Sequence, residues 1–158
     1  MLGRDGKVKR LTEAQAGYLA GIVDGEGTIT LTRRNINRQR YLTLTISNCE
    51  FKLLKYVSTL IGAGRITTKR TYHENHSTAY TYQISSKQAL DVIRAIAPFL
   101  QTYKRQRAAL ALSSYSKLTP RNGKYSDDIL KKRQKFIEKF FSILPPNIKT
   151  RPNERVFI

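Results

Sequence analysis

The segment "YLAGIVDGEGTITL", residues 18 to 31, most constrains the fold, because its hydrophobic period changes from helical to alternating with no room for a loop. Thr12 followed by Gln15 reads as a capping box, so a first helix is expected from about Glu13 to about Asp24 or Gly25. From Thr28 the pattern alternates, placing Thr28, Thr30, Thr32 and Arg34 on one face of a strand and Ile29 and Leu31 on the other. At the join stand two carboxylates, Asp24 and Glu26, where the helix dipole is negative and acids are disfavoured.

The rest of the chain repeats this scheme loosely. "RYLTLTISN" alternates again, with Leu42, Leu44 and Ile46 inward and Tyr41, Thr43, Thr45 and Ser47 outward, so a hairpin is predicted with its turn at 35–37. A helix over 51–62 follows, closed by Gly62. A second hairpin around "HENHS" turns Ile66, Tyr80, Tyr82 and Ile84 inward and Arg65, Thr67, Lys69, Thr81, Gln83 and Ser85 outward. A third helix is capped by Ser86 and closes at Pro98, a fourth runs from about Lys104 to Ser114, and a fifth from about Asp127 to Phe141. The expected fold is α+β, an αββαββα core of four antiparallel strands with helices on one face, plus further C-terminal helices. Residues 1–11 form a basic lead-in, 12–144 one domain and 145–158 an extended tail.

Charge decides what the open sheet face is for. Twenty-nine Lys and Arg against eleven Asp and Glu give a net charge of +18, which attracts polyanions. No stretch approaches the roughly 18 apolar residues of a spanning helix, so no membrane partner is expected. The first fifteen residues lack a secretory core, and an intracellular, non-secreted protein is expected. The single cysteine, Cys49, excludes an internal disulfide. Charge placed only for solubility predicts interspersed acids, yet none occurs between Thr28 and Ser47, where Arg33, Arg34, Arg38 and Arg40 cluster. Such a face suits the major groove of double-stranded DNA better than single-stranded RNA, whose binders display aromatics.

Gly17, Ala20, Gly21 and Asp24 fall at i, i+3, i+4 and i+7, which bares one helix face for close approach of another backbone. The expected partner is the same helix of a second subunit, the alternative being close packing inside the monomer. Pairing gathers two copies of Asp24 and Glu26, which then require cations. Magnesium suits oxygen ligands beside phosphate, and metal-held water hydrolyses phosphodiesters.

"YLAGIVDGEG" resembles the signature of the LAGLIDADG homing endonucleases, with Leu19 to Gly27 filling the motif in order, and the resemblance extends over roughly residues 12–115. It implies a homodimer that cuts long, nearly palindromic DNA sites and leaves 3′ overhangs. It implies metal coordination by Glu26, standing where the family has aspartate, and by the Gly25 carbonyl, with Asp24 tying the helix interface together. Asn48 matches a polar residue that orders the nucleophilic water. Lys104 is the best match to a basic residue that polarises water or phosphate, with Arg105 or Arg107 as alternatives. No small-molecule cofactor beyond the metal is implied. His73, Glu74 and His76 offer too few ligands for a metal site and read as a solvated loop. A same-fold binder without cleavage, such as an RNA-splicing maturase or a DNA-binding regulator, is the alternative, and Glu26 argues for the enzyme.

Overall fold

The computed structural model describes residues 6–68 and 78–146. The capping box forms: Thr12 Oγ1 accepts from the Gln15 amide at 3.2 Å, and Gln15 Oε1 accepts from the Thr12 amide at 2.9 Å. It starts α1 (Glu13–Glu26), which runs directly into β1 (Gly27–Thr32). The helix is thus longer by one or two residues than its sequence signals, because the Gly27 amide still reaches the Val23 carbonyl. Only glycine permits this junction, since a Cβ at Gly27 would lie 2.7 Å from Val23 Cα.

β2 (Tyr41–Asn48), α2 (Phe51–Ile61), β3 (Arg65–Thr68), β4 (Tyr80–Ser85) and α3 (Ser86–Ile96) follow, then a 3-10 turn (Ala97–Phe99), α4 (Lys104–Ser114) and α5 (Asp127–Ser142). Gly62, at φ +79°, closes α2 as expected. The cap of α3 differs from expectation: Ser85 is the N-cap without a side-chain bond, and Ser86 is the first helical residue, held at φ +56°. Lys69, His73, Glu74, His76 and most of the expected tail lie outside the described residues.

The four strands form one antiparallel sheet in the order β1-β2-β4-β3. Its inward side chains, Ile29, Leu31, Leu42, Leu44, Ile46, Tyr82 and Ile84, share one buried cluster with Leu19 and Val23 of α1, Leu54 and Val57 of α2 and Val92 and Ile93 of α3. The helices therefore cover one face of the sheet and leave the other open. Tyr82 is fully buried and donates its hydroxyl to the Ala63 carbonyl at 2.7 Å, while burial pushes its phenol well above the ordinary range.

β1 is an edge strand, and its free side is closed by guanidinium groups. Arg107 Nη1 donates to Ile29 O at 3.0 Å and Arg40 Nη1 to Leu31 O at 3.1 Å. An edge occupied this way offers no template for another strand. No described helix is long and apolar enough to cross a membrane.

Candidate active site and nucleic-acid face

The C-terminal end of α1 has no basic residue of its own in the last turn. Lys104, from the start of α4, supplies the missing charge: its Nζ donates to the carbonyls of Val23 and Asp24, each at 2.8 Å. This ammonium offsets the negative helix end, adding a second donor to the Val23 carbonyl beside the Gly27 amide and supplying one to the Asp24 carbonyl. Burial pulls the Lys104 pKa below its usual value, with Arg107 acting in the same sense and Asp24 and Glu26 opposing.

The two carboxylates have separate fates. Asp24 accepts from Thr102 Oγ1 at 2.5 Å, from the Gln101 amide at 2.7 Å and from the Thr102 amide at 3.3 Å. Burial works to raise its pKa, but these three donors and the charge of Lys104 outweigh it and hold the carboxyl below the ordinary range. Asp24 thus ties α1 to the loop before α4 within one chain. Glu26 is exposed and makes no hydrogen bond or ion pair among the described residues. Gln101 and Thr102 are partners that sequence reasoning missed. Thr102 Oγ1 also accepts from the Lys104 amide at 3.3 Å, and a Thr two residues ahead of a helical run is a local signal that would have marked it.

α4 acts as a bracket along this side of the sheet. Arg107 is 7% exposed, with its guanidinium between the rings of Tyr103 and Phe140 at 5.0 and 5.2 Å and its Nε donating to Ile143 O at 3.0 Å. Tyr115 Oη accepts from the buried Leu42 amide at 3.1 Å. Arg107 is therefore fully engaged in packing and Arg105 is exposed, so of the three basic candidates only Lys104 sits on the α1 end.

Asn48 closes β2 on the same side. Gly27 pairs with Ile46, so the helix-to-strand junction lies two residues from Asn48 along β2. Asn48 Oδ1 accepts from the Glu50 amide at 2.7 Å, which leaves its amide NH2 as the group to offer outward. Ser47 shares a 2.9 Å hydroxyl contact with Thr81.

On the open face, Thr28, Arg34, Arg38, Arg65 and Thr67 are exposed, and Thr30, Thr32, Tyr41, Thr45, Thr81, Gln83 and Ser85 are half-buried. Two expected DNA contacts are corrected. Thr43 is fully buried, its hydroxyl 2.7 Å from that of Thr32, because it lies on the central strand between Thr30 and Ser85. Arg40 shares the helix side with Leu42, and its guanidinium lies over the Phe141 ring of α5 at 5.1 Å.

The bare face of α1 is rotated from its expected position. Gly21 and Gly25 are exposed, and a Cβ on either would meet nothing within 4 Å; a Cβ on Gly17 would touch Phe99 at 3.8 Å. Ala20, by contrast, is fully buried in its own core, so it is not part of that face. Tyr18, 51% exposed, flanks the glycines and meets Tyr56 edge-on at 5.8 Å.

Among the described residues no group of three His, Cys, Asp or Glu could hold a metal ion. One chain offers the unengaged Glu26 carboxylate and the terminal Gly25 carbonyl, hard oxygen donors that suit magnesium but are too few for a site. The pair fits a metal only if further oxygen ligands come from outside this chain.

No family model and no curated protein sequence matches the chain. Solved structures do. The homing endonuclease I-CvuI, in complex with its target in the presence of calcium, superposes with a TM-score of 0.68 at 20% identity, over 88% of this chain and 86% of that one. The archaeal intron-encoded homing endonuclease I-Vdi141I, complexed with DNA, gives 0.58 at 14% identity over 88% and 89%. The LAGLIDADG homing endonuclease I-GzeII, in complex with its DNA target, gives 0.60 at 17% identity over 82% of this chain but 45% of its own length. The fold is that of the LAGLIDADG homing endonucleases.

Proposed function

We propose that two copies of this chain, each carrying the LAGLIDADG homing-endonuclease fold, form a site-specific, magnesium-dependent endonuclease for double-stranded DNA. The observation that carries this reading is the division of labour at the end of α1. The Asp24 carboxylate and the Val23 and Asp24 carbonyls are satisfied within the chain, while Glu26, one residue from a polar and basic sheet face, is left unengaged. A binding protein gains nothing from a bare carboxylate beside phosphates, since like charges repel.

The exposed Gly21 and Gly25 let two α1 helices approach closely, which brings the two Glu26 carboxylates and Gly25 carbonyls together. That I-GzeII spans about twice this chain supports the pairing, because one copy here covers half of it. Magnesium bound there would supply charge neutralisation at the scissile phosphate and a water of lowered pKa. Asn48, whose Oδ1 is taken by the Glu50 amide, would orient a water there through its NH2 group. Lys104, its proton affinity reduced by burial, exchanges a proton with the water network more readily than an exposed lysine does. The outward residues of both hairpins read a long, nearly palindromic site, and the product carries 3′ overhangs.

Incubation with a randomised duplex pool and magnesium tests the reading. Wild type should yield a defined, near-symmetric cut site, and Glu26→Gln should bind it while cutting at least about a thousand-fold more slowly. Undiminished cutting by Glu26→Gln overturns the site. Tight binding without cutting by wild type favours the regulator or maturase instead, and a monomeric mass in solution overturns the pairing.

A further inference from the structure

Arg133 of α5 is 2% exposed, and no carboxylate reaches it among the described residues. Its Nη1 donates to Leu118 O at 2.7 Å and to Thr119 Oγ1 at 2.8 Å, its Nη2 donates to Arg40 O, and its Nε has no hydrogen-bond partner. The rings of Tyr115 and Tyr125 flank it at 5.7 and 5.4 Å. Burying a cation without an anion is costly. What this guanidinium accomplishes is to hold two backbones within the span of one side-chain head: the far end of the β1–β2 hairpin and the loop from Tyr115 to Ser126.

That loop is built rather than slack. The Gly123 amide donates to Pro120 O at 3.2 Å with Gly123 at φ +67°, and the Lys124 amide donates to Asn122 Oδ1 at 3.0 Å. Lys117, Arg121 and Lys124 are exposed on it, and no acid occurs between Val92 and Ser126. The nearest acids are Asp127 and Asp128 in the first turn of α5, where they face the positive helix end, and Asp128 is also bridged to Lys132 at 2.7 Å. The hairpin end is acid-free as well and carries Arg33, Arg34 and Arg38.

We infer that the 115–126 loop, pinned to the first hairpin by Arg133, is a second DNA surface that grips phosphates of the flanking duplex through Lys117, Arg121 and Lys124. This inference rests on the endonuclease reading and extends it. The six residues of β1 separate Glu26 from the hairpin end by about 20 Å at about 3.3 Å each. At about 3.4 Å per base pair the loop meets the backbone about six base pairs from the cut. A grip there adds affinity and footprint length but reads no base.

The test compares wild type with the triple variant Lys117→Gln, Arg121→Gln, Lys124→Gln, whose exposed positions leave melting unchanged. On a long random-sequence duplex the slope of log K against log salt should become shallower by about 0.9 for each phosphate that the variant no longer neutralises, up to about 2.7 per chain. On a selected site, phosphate ethylation interference should vanish in the outer flanks and persist at the centre, with the cut position unchanged. Wild type that binds no duplex overturns the endonuclease reading. Wild type that binds while the variant keeps its slope and outer interference overturns this inference alone, as does a variant that instead loses binding to phosphatidylserine vesicles.

Discussion

The two ends of α1 are finished in opposite ways. At the N-terminus the cap is made by neighbours: Thr12 and Gln15 exchange two hydrogen bonds three residues apart, and Glu13 faces the positive end of the helix. At the C-terminus the Gly27 amide is a local partner, but every side-chain contact is with residues 77 to 81 positions away: Gln101, Thr102 and Lys104. The first arrangement stabilises a helix start through neighbours alone. The second leaves the helix short of its own positive charge and imports one, which places an ammonium beside two carboxylates on the side where the strands begin. The difference teaches that a local cap serves one helix, whereas a cap supplied from afar fixes where distant elements meet.

The comparison breaks hardest at Asp24. Replacing it with Ala strands the Thr102 hydroxyl and two amides and frees the loop before α4, so about 2–3 kcal/mol of unfolding free energy should disappear in urea titration. The pH dependence follows from the depressed carboxyl. Its contribution is complete above the unfolded value near 4 and is lost as pH falls through the lower folded value, so Asp24→Asn should flatten the acid limb of stability. An unchanged limb would show that the loop is held by something else.

Lys104→Met should separate cutting from folding. Two hydrogen bonds to carbonyls disappear, but a buried charge disappears with them, so stability should move by no more than about 1 kcal/mol. Cutting should fall about a hundred-fold if the ammonium takes part in proton traffic. A fall in stability without a fall in cutting would reduce the lysine to a cap. The smallest effect belongs to Thr12→Ala, expected to cost about 1 kcal/mol in thermal unfolding and nothing in cleavage rate. A cleavage defect there would mean that the two ends of α1 are not independent.

Much of the fold was legible. Alternation in β1 and β2 places Ile29, Leu31, Leu42, Leu44 and Ile46 in the core as read, because a period of two requires no knowledge of the partner strand. Gly62 and the Thr12 box mark helix ends for the same local reason. The misreadings cluster where a third element decides. Thr43 has an outward phase but is covered by its neighbours on the central strand, and Arg40 belongs to a basic run but is claimed by Phe141 of α5. Ala20 fits the small-residue spacing, yet the open face is centred on Gly21 and Gly25, since the core takes up a wide arc of α1. The Ser86 cap was misassigned because its left-handed backbone leaves no trace in residue type.

What the chain's sequence determined by itself is the set of elements, their inward faces and the presence of acids at a helix-to-strand junction, since these follow from interactions between residues a few positions apart. What only the tertiary structure decided is which charges are engaged. Asp24 is tied to Thr102, Lys104 is seated on α1, Arg107, Arg40 and Arg133 are locked into packing, and Glu26 is left open. A charge's availability depends on the groups that folding brings within hydrogen-bond reach, and for Asp24 and Lys104 those lie 77 to 81 residues away.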